Sequence, residues 1–288
     1  MVVFAPEMHS GRKNLRTIGQ CIYCGAGSKE TRLTDEHIIP YSLGSDRYLK
    51  DASCVECAKI TRDLEMHVAH NIFGHHRIHS GIQTRNPKKR PTELPLIIVR
   101  ESAEERIELP IEDHPYFLSL PVWDRPGIVR NISPSNEFSG LTSHVYSYAP
   151  NNIGETLGIP TCGSLNIRPV SVAINPEIFA RVLAKISYCQ LVARLGLDGF
   201  RPLAIVDVIL GKYSCVPYFV GSYIDGPLPP PAEKKYLHTV ENVDAVISGK
   251  RLWLTVIRLF ANSGTKENGM PIYTVITGAA KPCGAHPQ

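Results

Sequence analysis

The sequence predicts an α+β fold in which a small metal-stapled module precedes a larger mixed α+β domain. Three observations carry that expectation. Cys-x-x-Cys occurs twice, at Cys21/Cys24 and at Cys54/Cys57. An Asn175-Pro176-Glu177 start opens a long apolar stretch that stops at Gly196. Two runs rich in β-branched and aromatic residues, LWLTVIRLFA and PIYTVITG, flank the polar loop NSGTKENGM, as in an antiparallel hairpin.

The elements follow in order. Residues 1–20 read as an extended leader into the first cysteine pair, and 21–57 are dense in turn residues and short apolar pieces. Ile60, Leu64, Val68 and Ile72 then recur every four residues, marking one face of a helix that Gly74 terminates. The polar, basic stretch HHRIHSGIQTRNPKKRP, residues 75–91, reads as a connector or arm. It sets the expected division into 1–91 and 92–288. Leu96–Arg100 and Val170–Ile174 read as strands. Asn175 is the expected N-cap, Pro176 the first helical residue and Gly196 the C-terminal stop. GPLPPP, residues 226–231, reads as a stiff exposed link, and no internal repeat is visible.

Composition narrows the class. With 43% hydrophobic and 20% charged residues in a 288-residue chain, there is apolar surface enough for a real core, and disorder is excluded. The net charge of +4 is uneven: residues 1–91 carry 14 basic against 9 acidic residues, and the remainder 17 against 18. A basic, metal-binding segment suits a polyanionic partner, although solvated surface charge would look the same. No apolar run has signal-peptide or membrane-spanning length, so the expectation is a soluble, cytoplasmic protein without a membrane partner.

The cysteines sharpen the picture. In a reducing compartment, paired Cys-x-x-Cys spacing favours metal over disulfides. Cys21, Cys24, Cys54 and Cys57 fit a tetrahedral structural zinc site, each pair turning two thiolates toward one ion. A redox-active pair is the alternative, but such a pair opens a helix after a strand, whereas Cys21-Ile-Tyr-Cys24-Gly runs into a polar turn. Four thiolates leave no position for water, so this metal does no chemistry.

Between the pairs lies LTDEHIIPYSLG, residues 33–44, where Asp35, Glu36 and His37 run into an apolar pair, a proline and a glycine turn. Here the chain resembles the HNH endonuclease family, with its ββα-metal fold, over residues 18–75. The matching positions are Cys21, Cys24, Glu36, His37, Ile38, Pro40, Gly44, Cys54 and Cys57. The resemblance implies a metal-dependent endonuclease that hydrolyses nucleic-acid phosphodiester bonds, with DNA favoured over RNA. His37 would be the general base that activates water. Glu36 would hold a catalytic Mg²⁺ or another divalent ion that relieves charge on the departing oxygen. Successive strand residues point to opposite faces, so Glu36 and His37 need a bend near Pro40 and Gly44 to face one phosphate.

The chain departs from the family pattern at two positions. The asparagine expected nine residues before the helical ligand falls at Leu49, and the helical ligand itself falls at Ala58. Asp51 is a substitute for the first; Thr61, Glu65 or His67 are substitutes for the second, Glu65 being the best hard-cation ligand among them. Asp35, Glu36 and Glu65 are therefore the candidate metal carboxylates. Arg85, Lys88, Lys89 and Arg90, with Arg77, are candidates to track phosphates. His67, His70, His75, His76 and His79 crowd one span without the enclosing ligands of a second metal site, and read as a polar face. The competing reading is a catalytically inactive HNH-derived zinc module that acts in nucleic-acid binding or regulation.

Overall fold

The computed structural model describes residues 3–4, 13–84, 86–100, 103–151, 153–157, 167–169, 174–223, 228–234, 236–265 and 269–281. After the two-residue strand β1 (Val3–Phe4), β2 (Lys13–Thr17) leads into the first cysteine turn. Strands β3 (Leu33–His37) and β4 (Arg47–Cys54) pair antiparallel, and β2 joins the far edge of β4 in parallel. Pro40 and a short 3-10 turn, Tyr41–Leu43, connect β3 to β4 and end at Gly44 with φ 94°. Only glycine takes that angle without strain. The β3–β4 register slips between Thr34 and Glu36, and opposite the slip Asp51 adopts φ 50°. Such a bulge re-aims the side chains beside it.

Helix α1 (Val55–Asn71) starts where β4 ends, capped by the Cys54 sulfur, which accepts from the Cys57 N–H at 3.4 Å. β3, β4 and α1 thus form the expected ββα frame. Its buried face is Cys57, Thr61, Leu64 and Val68, so Thr61 takes a place on the stripe and Ile60 is only half-buried. Gly74 does not terminate this helix: α1 stops at Asn71, and Gly74 begins a second helix, α2 (Gly74–His79). The expected arm is therefore partly a packed element. The reason is His76, buried against Tyr116 and Phe260.

Beyond it, β5 (Glu93–Arg100) and β6 (Ala103–Pro110) form a hairpin, and β7 (Tyr116–Val122) pairs with β8 (Thr142–Tyr148). A one-turn helix α3 (Ile153–Thr156) precedes β9 (Ile167–Pro169), which pairs with β5. The expected strand at 96–100 lies within β5; that at 170–174 falls almost wholly outside the described residues.

Helix α4 (Pro176–Leu195) is the centre of the molecule. The Asn175 side chain accepts from the Ile178 N–H at 3.1 Å, Pro176 leads, and Gly196 closes it, as its sequence predicts. Thirteen of its residues are buried, from Phe179 to Val192, because it packs on α1 on one side and on a sheet on the other. β10 (Phe200–Pro202), α5 (Ile205–Leu210), α6 (Val216–Phe219), β11 (Val220–Tyr223), β12 (His238–Ile247), β13 (Lys250–Arg258) and β14 (Ile272–Ala280) follow among the described residues. Strand order in the sheet is β1-β12-β13-β14-β10, with β11 also on β14. β13 and β14 are the expected hairpin. Of the expected 226–231 link, Pro229 and Pro230 accept from the Arg258 guanidinium, which pins them to β13.

One apolar cluster runs from Ile22, Ile39 and Leu49 of the cysteine module through Phe179 and Leu183 of α4 to Ile257 and Val275 of the sheet. The Tyr188 hydroxyl donates to the Ile22 carbonyl at 2.6 Å, tying α4 to the first cysteine turn. The cysteine module thus rests on a wall supplied by the C-terminal half. Among the described residues, no helix is long and apolar enough to cross a membrane.

Candidate metal centre and cleft

The Sγ atoms of Cys21, Cys24, Cys54 and Cys57 all lie within 4.8 Å of one another. A tetrahedron of sulfurs about 2.3 Å from one ion has that scale. The two knuckles have different origins. Cys21 and Cys24 bracket a turn in which the Gly25 N–H donates to the Cys21 carbonyl, with Gly25 at φ 80°. Cys54 and Cys57 sit at the end of β4 and in the first turn of α1. Only Cys24 is exposed. The four thiols suit a structural metal such as zinc, with three of the four cysteines buried.

The ββα frame also borders a cleft of about 430 Å³, lined by Asp35, Glu36 and His37 of β3 and by Ala58, Lys59, Thr61, Arg62 and Glu65 of α1. All four residues expected to carry chemistry, Asp35, Glu36, His37 and Glu65, border this one cleft. Strand alternation decides what each of them does there. Glu36 is buried, whereas Asp35 and His37 on either side of it are half-exposed. The His37 ring lies between Tyr41 and Tyr48, at centroid distances of 5.7 and 6.0 Å. Asp35 accepts from the Asp51 N–H at 3.4 Å across the bulge.

Glu36 points inward to a residue that the local motif does not contain. Lys185, on α4, places its ammonium 3.0 Å from Oε1 of Glu36 and 2.7 Å from Oε1 of Glu65. It also donates to the His37 carbonyl, with the Ile38 carbonyl at 3.5 Å. The other Glu36 oxygen, Oε2, lies 3.4 Å from the Thr61 hydroxyl. Burial alone would lower the Lys185 pKa, but Glu65 and then Glu36 raise it above its ordinary value, so the ammonium stays charged. The Lys185 signal was present in the sequence: ARVLAKISYCQLV has one charged residue amid apolar ones after Arg181, in a helix too apolar to have a solvent face.

The expected catalytic divalent ion does not fit the side chains as they stand. One oxygen each of Glu36 and Glu65 faces the same ammonium, the second Glu36 oxygen shares the Thr61 hydroxyl with the Ala58 carbonyl at 3.4 and 3.3 Å, and the Ala58 side chain offers no ligand atom. Leu49, at the expected asparagine position, is fully buried opposite Glu36 in the strand register. His67 pairs with Asn71 on α1.

The candidate phosphate-tracking residues divide. Lys88 and Lys89 lie exposed on a short 3-10 turn, Pro87–Lys89. Arg90 is spent internally, its Nη2 donating to the carbonyls of Arg77, Ile78 and Ile82 at 3.1–3.2 Å. Arg77 likewise donates to Ser42 and Ala69 carbonyls. Arg85 falls outside the described residues. Lys59 and Arg62, which sequence reading passed over, are exposed at the cleft border, where their spacing on α1 brings both to one edge.

Of the crowded histidines, His70 is exposed on α1. His75, His76 and His79 face His114 and Tyr116 in a ring cluster. Burial first, then neighbouring histidines, lowers His76 and His79 to about 4. Among the described residues, the four cysteines are the one group of three or more potential ligands close enough to share an ion.

Residues 21–71, which hold every feature of the cysteine site and the cleft except Lys185, match the family model of HNH endonuclease. No curated protein and no solved structure matches the chain.

Proposed function

We propose that this chain, whose residues 21–71 form an HNH-family module, hydrolyses phosphodiester bonds in nucleic acid, DNA ahead of RNA, with His37 as the general base. The observation that carries the reading is the cleft itself, where half-exposed His37 and Asp35 share a border with exposed Lys59 and Arg62. Those residues supply what hydrolysis requires. A neutral imidazole takes a proton from the attacking water. Lys59 and Arg62 hold the phosphate and offset the charge that develops on its oxygens and on the leaving oxygen. Asp35, on the same strand face two residues away, orients the water or the imidazolium. Lys88 and Lys89 extend the cationic path for the strand beyond the scissile bond. Residues 1–91 are then the chemical unit, and 92–288 the unit that buttresses it and selects its substrate.

A second reading has its own observation. Leu49, Ala58 and the engaged Glu36 leave the site without the family's usual ion-holding side chains. That favours a module that binds nucleic acid without cutting it.

One assay separates the two. The protein and its His37→Ala variant are incubated with supercoiled plasmid and with single-stranded RNA, with and without Mg²⁺ or Mn²⁺. Cleavage by the parent and not by the variant supports the nuclease. Binding without cleavage by either protein supports the second reading.

A further inference from the structure

We infer that Lys185 is the fixed cation of this cleft, its ammonium standing between Glu36 and Glu65 where a divalent ion would otherwise sit, so that these two carboxylates hold no divalent ion. The inference concerns cation binding and does not rest on the nuclease reading.

Saturation is the first support. An ammonium has three N–H donors. Here Glu36, Glu65 and the His37 carbonyl meet it, with the Ile38 carbonyl a more distant fourth at 3.5 Å. Glu36 and Glu65 are drawn to one point by it, one from β3 and one from α1, as two ligands are drawn to an ion. A divalent ion binding the same oxygens at the usual 2.0–2.6 Å would lie against the ammonium with like charge.

Immobility is the second. The Lys185 side chain is 1% exposed, and its helix neighbours Ala184 and Ile186 are fully buried. The ammonium has no solvent-facing position to swing into while α4 stays packed, so an incoming ion cannot displace it by a rotamer change. The third support is what surrounds the pair: Ala58 supplies no further ligand, and Thr61 lies at the second Glu36 oxygen. The ammonium also fixes the end of β3 through the His37 carbonyl, which makes Lys185 a positioning residue for His37.

The test is titration of the zinc-loaded full-length protein with Mn²⁺, free Mn²⁺ being read by electron paramagnetic resonance. Wild type and Glu36→Gln should bind Mn²⁺ alike, with no Glu36-dependent site. Lys185→Met, which leaves two carboxylates facing each other, should gain a site about tenfold or more tighter than wild type, and Lys185→Met with Glu36→Gln should lose it. A wild-type Mn²⁺ site that Glu36→Gln abolishes would overturn the inference, as would a folded Lys185→Met that gains no site. If Lys185→Met folds only when Mn²⁺ is added, and not with NaCl of equal ionic strength, the ion is replacing the lysine and the inference stands. If it folds under neither condition, the comparison of wild type with Glu36→Gln decides. Because no cleavage is measured, a failure here is distinct from a failure of the nuclease reading.

Discussion

Lys185 Nζ lies 3.0 Å from Oε1 of Glu36, and both side chains are buried, so an ammonium from the C-terminal half of the chain neutralises the middle residue of the Asp35-Glu36-His37 triplet. The triplet is therefore split by strand alternation. Its flanking members look into the cleft, and its central member is tied to α4. The family frame and the helix behind it are joined by a charge pair as well as by apolar packing, which makes the module's geometry depend on residues beyond the matched segment.

Lys185→Met is expected to destabilise the protein by about 3–5 kcal/mol, the usual cost of stranding buried charge by removing one partner. Glu65→Gln should cost less, because its carboxylate is 19% exposed and water can take over part of its solvation. Urea unfolding followed by far-UV circular dichroism measures both. No loss for Glu65→Gln beside a large one for Lys185→Met would mean that Lys185 is held by Glu36 alone.

Cys54→Ser isolates the metal-ligand role. Serine is itself a good N-cap, so α1 keeps its start while the metal loses a thiolate. The variant should purify with less than stoichiometric zinc, and residues 21–71 should become protease-sensitive, since such binding energy is folding energy. Full zinc occupancy by metal analysis would show that Cys54 is not a ligand.

How much of this was legible in the sequence varies with the range of the interaction. The four-cysteine cluster, the α4 caps at Asn175 and Gly196, and the β13–β14 hairpin are set by local spacing, and each lies where its pattern puts it. The triplet was legible as chemistry but not as geometry, because whether Glu36 faces out or in depends on a partner on α4. Gly74 was misread for a similar reason: burial of His76 against Tyr116 and Phe260, which no local pattern encodes, extends helical structure past it. Arg90 looked like the lysines before it, yet its planar fork serves the carbonyls at the end of α2 while Lys88 and Lys89 stay in solvent.

That contrast gives a prediction for the basic residues. Lys88→Ala with Lys89→Ala, or Lys59→Ala with Arg62→Ala, should weaken nucleic-acid binding and flatten its salt dependence. The log–log slope should fall by about 0.7–0.9 for each phosphate that is no longer neutralised. Arg90→Ala should leave the slope unchanged and instead lower stability by about 1–3 kcal/mol, since three part-buried carbonyls lose a charged donor. Fluorescence anisotropy across a salt series, paired with urea unfolding, tells the two effects apart. A slope change for Arg90→Ala with stability intact would place Arg90 on the phosphate path after all.

The buried histidines predict acid sensitivity. Burial lowers His238 to about 4, against the opposing effect of the Leu43 carbonyl; burial lowers His76 to about 4 as well, helped by His238 and His79. Hydrogen bonding shows why His238 stays neutral: Nδ1 accepts from the Phe260 N–H at 3.1 Å while Nε2 donates to the Leu43 carbonyl at 2.7 Å. A proton on Nδ1 would break the first of these. Both pKa values are depressed on folding, so the unfolded chain binds more protons between the ordinary value of 6.5 and about 4. Stability is then fully present above pH 6.5 and is lost as pH falls toward 4, by about 2 kcal/mol per histidine at pH 5. Urea midpoints at pH 7.5 and pH 5 measure the loss, and His76→Phe should reduce it by removing one titrating group. Identical midpoints at the two pH values would mean that these histidines gain protons as readily folded as unfolded.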